Sequence, residues 1–218
     1  MKKIIDLSNE EARTHFLKGS SYFNNDIPNY ISFEPILTEV EKVLNGNDFK
    51  EFKSSKPGDF SGVNYSFLTN KDGRFAWRPL ELIHPAIYVS LVNLICEANN
   101  WKHIQEKFSE YSGGAVECCS IPVIATADEK DVAAQIKSWW VNTEQRSLTY
   151  SLEFSHLLQT DVVDCYGSLY THSISWAIHG LPESKKIKRG TLCWETKLPI
   201  ISNRGDMGKP MEFLKAQF

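Results

Sequence analysis

An α+β chain is what this sequence predicts, on three observations. Apolar residues recur at helical spacing in several capped segments, two strand-like runs flank Asn70-Lys71-Asp72-Gly73, and a further strand-like stretch over residues 149–163 delivers Asp161 into a turn.

The elements follow in order. Ser8-x-x-Glu11 is a capping-box signature and predicts a helix ending near Gly19. Pro28-Asn29-Tyr30 precedes a second helix, with Ile36, Leu37, Val40, Val43 and Leu44 at helical spacing and Gly46 beyond its end. The polar stretch 45–62 reads as a loop. Residues 63–82 form a hairpin pattern turning at Asn70-Lys71-Asp72-Gly73. Beyond Pro85, AIYVSLVNLICEA is a strongly apolar helix and NNWKHIQEKFSEY an amphipathic one. Another helix runs from about Glu129 and closes at Trp139 and Trp140, whose rings read as core packing rather than as a stacking platform for bases. The helix pattern from Thr171 to His179 is closed by Gly180 and stopped by Pro182.

Composition narrows the class. With 218 residues, 42% hydrophobic and 23% charged, the chain supports one globular domain with a substantial core. No apolar run approaches the ~20 residues of a membrane helix, and Met1-Lys2-Lys3 reaches only Ile4-Ile5 before Asp6, so no secretory signal and a cytoplasmic location are expected. The five cysteines, Cys96, Cys118, Cys119, Cys165 and Cys193, show no CxxC pair; their odd number suits reduced thiols and their spacing does not suit zinc. Of the histidines, His84, His172 and His179 read as packing or capping groups. A net charge of −3 excludes a generally sticky polyanion binder, because such affinity comes from phosphate neutralisation, so nucleic-acid contact has to be local. The densest basic run, Lys185-Lys186-x-Lys188-Arg189, reads either as a solvated loop or as a contact to backbone phosphates.

The chemistry concentrates in Asp161-Val162-Val163-Asp164-Cys165-Tyr166. Taken alone, these residues fit two accounts: an Asx turn with Tyr166 in the core, or a carboxylate presented to a metal beside a nucleotide pocket. The string resembles the first catalytic motif of reverse transcriptases. Its continuation, Ser168-Leu169-Tyr170-Thr171-His172-Ser173-Ile174 with Trp176-Ala177-Ile178-His179-Gly180, is similar to the retron-type and defence-associated, abortive-infection-like bacterial group, as is SYFNNDIPNYISFEPIL near the start.

This resemblance implies the fingers and first part of the palm of a right-hand polymerase fold, incomplete, with fingers over residues 1–150 and the palm beginning over 151–192. It implies RNA-directed DNA synthesis in anti-phage defence, with an RNA template, a DNA product, deoxynucleoside triphosphates and Mg²⁺. Asp161 becomes the catalytic residue and metal ligand, joined by the backbone carbonyl of Val162. Val163, Asp164, Cys165 and Tyr166 line the nucleotide pocket, Tyr166 crowding the sugar 2′ position. Lys71-x-Gly73, Arg78 and Pro85 echo the family's fingers hairpin, which makes Lys71, Arg74 and Arg78 the cations expected on template and triphosphate, whose phosphates they match.

Two family features do not occur: a further Asp-Asp pair and a Pro-Gln-Gly segment. The genetic code accounts for this. Read one base out of register, the Trp194/Glu195, Met207/Gly208 and Met211/Glu212 codon junctions each force glycine, and the twelve junctions from Asp206 to Phe218 admit YGQTNGIPQGSV. Residues 193–218 are therefore expected to be an out-of-frame tail, the chain to be inactive as it stands, and the alternatives to be a noncatalytic nucleic-acid-binding remnant or an inert product.

Overall fold

The computed structural model describes residues 2–23, 28, 30–47, 63–70, 77–114, 116–125, 131–161, 171–182 and 184, and within them the chain is mainly helical with one two-stranded sheet. After a single 3-10 turn at Ile4–Asp6, the helices are α1 (Asn9–Phe16), α2 (Gly19–Tyr22), α3 (Glu34–Leu44), α4 (Pro85–Ile95), α5 (Ala98–Ser112), α6 (Asp131–Trp140), α7 (Arg146–Tyr150) and α8 (Thr171–His179). The strands are β1 (Tyr65–Asn70) and β2 (Trp77–Leu82).

The caps explain the helix limits. At α1 the Ser8 hydroxyl accepts from the Glu11 N–H at 3.2 Å while the Ser8 N–H donates to the Glu11 carboxylate at 2.9 Å, so both halves of the expected box form. The helix stops at Phe16, and the short α2 occupies the next turn. α3 ends on Asn45 in the left-handed region (φ 47°), which Asn tolerates better than most side chains and which satisfies a C-terminal carbonyl. His84 caps α4 through its ring nitrogen, accepting from the Ala86 N–H at 3.2 Å, with Pro85 just inside the helix. α8 ends where expected: Gly180, at φ +76°, donates to the Trp176 carbonyl at 2.8 Å.

α4 lies at the centre. Residues 87–94 are all buried, as befits a helix apolar on every side, and α1, α3 and α5 pack against it. One core cluster joins Ile4, Leu7, Ala12, Tyr22, Leu37, Leu44, Tyr88, Val89, Val92, Cys96 and Trp101. Its polar atoms are paired: the Trp101 indole donates to the Leu7 carbonyl at 2.9 Å, the Tyr88 hydroxyl to Phe16 at 2.6 Å, and the Tyr22 hydroxyl to Ile83. α4 brings two buried polar residues, Ser90 and Asn93, into this interior. Asn93 accepts from Arg13 at 3.0 and 2.9 Å and donates to the Asn47 carbonyl at 3.1 Å, while Arg13 also pairs with Glu41 at 3.0 Å.

β1 and β2 pair antiparallel from Tyr65↔Leu82 to Asn70↔Trp77. The expected hairpin is present as two paired strands, the last described pair being Asn70↔Trp77. Of the expected turn Asn70-Lys71-Asp72-Gly73, all but Asn70 lies outside the described residues. The apolar pattern of both strands sets this register, since it places Phe67 against Phe23 and Leu82 against the core.

Two further expectations fail. The helix of Trp139 and Trp140 does not close there but continues through a π turn at Val141–Gln145 into α7, and the two rings are 46% and 50% exposed rather than core. The residues α6 turns inward are small or polar, Ala134 and Ser138, which leaves the indoles on the outside. The strand-like stretch 149–163 is not a strand over its described part: Thr149 and Tyr150 end α7, and residues 151–161 join no ladder. A strand exists only by pairing, and the helix arriving from α6 satisfies the backbone of residues 149 and 150 first. Among the described residues no helix is long and apolar enough to cross a membrane.

Candidate functional site

The expected site rests on two supports, the hairpin and the segment leading to Asp161. The hairpin base is fixed to the core. Asn64 accepts from the His84 N–H at 3.1 Å and reaches Glu81 at 3.3 Å, Tyr22 holds the Ile83 carbonyl, and Phe67 stacks on Tyr65 and meets Phe23. Its distal end is the part that carries the expected cations. Arg78 stands in β2 paired with Thr69, one step inside the Asn70↔Trp77 pair, whereas Lys71 and Arg74 lie outside the described residues.

Asp161 is exposed at the end of a run, residues 156–161, that belongs to no helix or strand. Leu152 before that run, and Leu157 and Leu158 in it, are each more than four-fifths exposed. The remaining expected pocket residues, Val162, Val163, Asp164, Cys165 and Tyr166, lie outside the described residues. On their far side α8 is held to α5 by the Tyr111 hydroxyl, which donates to the Ala177 carbonyl, and by the His103 and His179 rings stacked at 5.5 Å.

Upstream, three tethers hold the α6–α7 segment, and sequence reasoning did not foresee them. Gln135 clamps Val123 at both backbone groups, accepting from its N–H at 3.0 Å and donating to its carbonyl at 2.6 Å. The other edge of that segment is taken by the chain start, since Lys3 bridges Val123. The Cys119 thiol donates to the Asn142 carbonyl at 3.6 Å inside the π turn, and Arg146 pairs with Glu117. That pair raises the Arg146 pKa, chiefly through the hydrogen bond that Arg146 donates to Glu117. A π turn inserts one extra residue per turn and frees a carbonyl for such a contact, which no apolar periodicity announces.

Chemically, one exposed carboxylate offers hard oxygen donors suited to Mg²⁺ or a similar cation. It does not make a closed site by itself. Among the described residues no three His, Cys, Asp or Glu side chains are grouped to hold a metal. No protein-family model matches the chain, and no curated protein matches it.

Proposed function

We propose that the chain carries the fingers and the beginning of the palm of an RNA-directed DNA polymerase of the bacterial, defence-associated kind, working in the cytoplasm. The observation that carries this reading is the contiguous string from Asp161 to Gly180, in which a carboxylate, a small residue, an aromatic and a helix follow one another in the family's order. The accessible carboxylate of Asp161, the hairpin ahead of Pro85 and the α8 helix behind the string all support it.

In this reading Asp161 and the Val162 carbonyl hold Mg²⁺, and Lys71, Arg74 and Arg78 neutralise phosphates of template and incoming nucleotide. Bound there, paired divalent ions stabilise the attacking and leaving oxygens of phosphoryl transfer. Tyr166 excludes a 2′-hydroxyl by bulk, and Val163 to Cys165 shape the pocket around the base and sugar.

The 218 residues contain no Asp-Asp pair, and a lone carboxylate does not hold two metals, so the chain alone makes no DNA. The three forced glycines support residues 193–218 as an out-of-frame tail. Sequencing the encoding DNA from codon 188 onward tests that directly; a shifted frame without Pro-Gln-Gly and a later Asp pair refutes it. Primer extension on an RNA template tests the function. No synthesis is expected from this chain, and synthesis is expected from the frame-restored protein, lost again in Asp161→Ala. Salt-sensitive RNA binding that depends on Lys71 and Arg78, with no synthesis even after restoration, assigns the noncatalytic reading instead.

A further inference from the structure

Two thiols stand next to each other at Cys118 and Cys119, and they are used differently. Residues 116–122 belong to no helix or strand. Within that stretch Glu117 pairs with Arg146, and the Cys119 thiol donates to the Asn142 carbonyl at 3.6 Å, so both side chains reach the run that joins α6 to α7, one turn apart. Cys118, between them, is exposed. The reduced pair thus offers one sulfur to solvent and one to the π turn.

A bond between the two sulfurs would differ from a structural disulfide. Adjacent Cα atoms lie ~3.8 Å apart across a trans peptide, closer than the ~4.4–6.8 Å usual for a disulfide, so a bridge between neighbours is strained and easily reduced. Such a bridge suits reversible oxidation rather than stapling. It also consumes the Cys119 S–H, which is the donor that holds Asn142. Oxidation and the helix contact therefore exclude each other, and whatever favours one opposes the other by the same factor. Cys96, the remaining described cysteine, is buried in the core and takes no part.

We propose that Cys118 and Cys119 form a reversible two-electron oxidation site for peroxides, and that its state sets how firmly the α6–α7 run is held. The exposed Cys118 sulfur, as thiolate, attacks one peroxide oxygen; the O–O bond breaks, Cys118 becomes a sulfenic acid, and the other oxygen leaves as water with the thiol proton. The Cys119 sulfur then attacks the Cys118 sulfur, the S–O bond breaks, and a second water leaves with the Cys119 proton. Two thiols and one hydrogen peroxide become one disulfide and two waters. A small dithiol reverses the oxidation.

The full chain, treated with equimolar hydrogen peroxide, alkylated and digested with trypsin, tests the proposal, because both cysteines fall in the peptide 108–130 and no other cysteine does. That peptide is expected to lose two hydrogens and both alkylation sites together, and to regain them with dithiothreitol. Hydrogen exchange over residues 142–146 is expected to quicken roughly three- to tenfold on oxidation, the size of one hydrogen bond. Cys119→Ser, whose hydroxyl still donates to Asn142, is expected to abolish both the internal bond and the exchange response. Arg146→Ala, which frees Glu117, is expected to move the thiol–disulfide equilibrium in a glutathione buffer towards the disulfide by roughly threefold. Oxidation that ends on Cys118 alone, a disulfide between two chains, or an internal bond that leaves exchange at the π turn unchanged overturns the proposal.

Discussion

Burial divides the described cysteines into two chemical kinds. Cys96 sits in the core at the end of α4, and burial pushes its thiol from 9.0 up to about 12. Cys118 is exposed. Because the thiolate is the nucleophile, iodoacetamide mapped by mass spectrometry at pH 8 should modify Cys118 readily and leave Cys96 unmodified until denaturant is added. Early labelling of Cys96 in the folded protein would contradict its placement. Asn93 shows the same logic for a neutral polar group. Its oxygen takes two bonds from Arg13 and its nitrogen serves Asn47, so Asn93→Ala removes three hydrogen bonds at once and leaves the half-buried Arg13 with Glu41 alone. The expected cost is about 2–3 kcal/mol, read from the urea midpoint with an unchanged m-value.

At the scale of elements, the capping box of α1 links sequence to a measurable pH response. The Ser8 N–H bond, then Lys2, hold the Glu11 carboxyl below its ordinary 4.5. A depressed carboxylate contributes stability above its unfolded pKa and loses it as pH falls through the lower, folded value. Ser8→Ala should therefore cost about 1 kcal/mol by loss of the hydroxyl cap, whereas the cost of Glu11→Ala should shrink on acidification below pH 4.5, where the parent's own Glu11 becomes protonated and no longer serves the cap. A constant difference across that range would show that the box does not act as a charged unit. This box was legible because a cap is local: four residues suffice to specify it. The same holds for Pro85 after His84, for Gly180 after α8, and for the continuous apolar run of α4. The hairpin was half legible, since its two strands show in the alternation but its register depends on Phe67 meeting Phe23, 44 positions earlier in the sequence. Trp139, Trp140 and residues 149–161 were misread for one reason. Local composition marks a side chain as fit for burial or a stretch as fit for pairing, but whether a covering surface or partner strand is there to receive it is a property of the rest of the molecule. The expected Asp161 site was legible only as a string, for most of its members fall outside the described residues.

The whole molecule sums these local terms into two global responses. The first is alkaline. Tyr22 and Cys96 are both kept neutral by burial, each raised to about 12 from 10.0 and 9.0. Between pH 9 and 12 the unfolded chain binds fewer protons than the folded one, so stability is full below pH 9 and falls as pH rises, by up to about 1.4 kcal/mol per pH unit for each group. Cys96→Ala lowers stability at every pH by loss of packing, but its slope above pH 9 should be shallower than the parent's; parallel slopes would mean that the thiol is not the titrating group. The second response concerns cooperativity. Around α4 the chain is closely packed, whereas the contacts of α6 to residue 161 with the rest of the chain include the Gln135 clamp, the Cys119 contact and the Glu117–Arg146 pair. An exposed ion pair contributes at most about 1 kcal/mol, so this segment is expected to open without disturbing the core. Hydrogen exchange followed by mass spectrometry should find the amides of α6 and α7 exchanging at least a hundredfold faster than those of α4 in dilute protein. Uniform protection of α4 and α6 would show one cooperative unit.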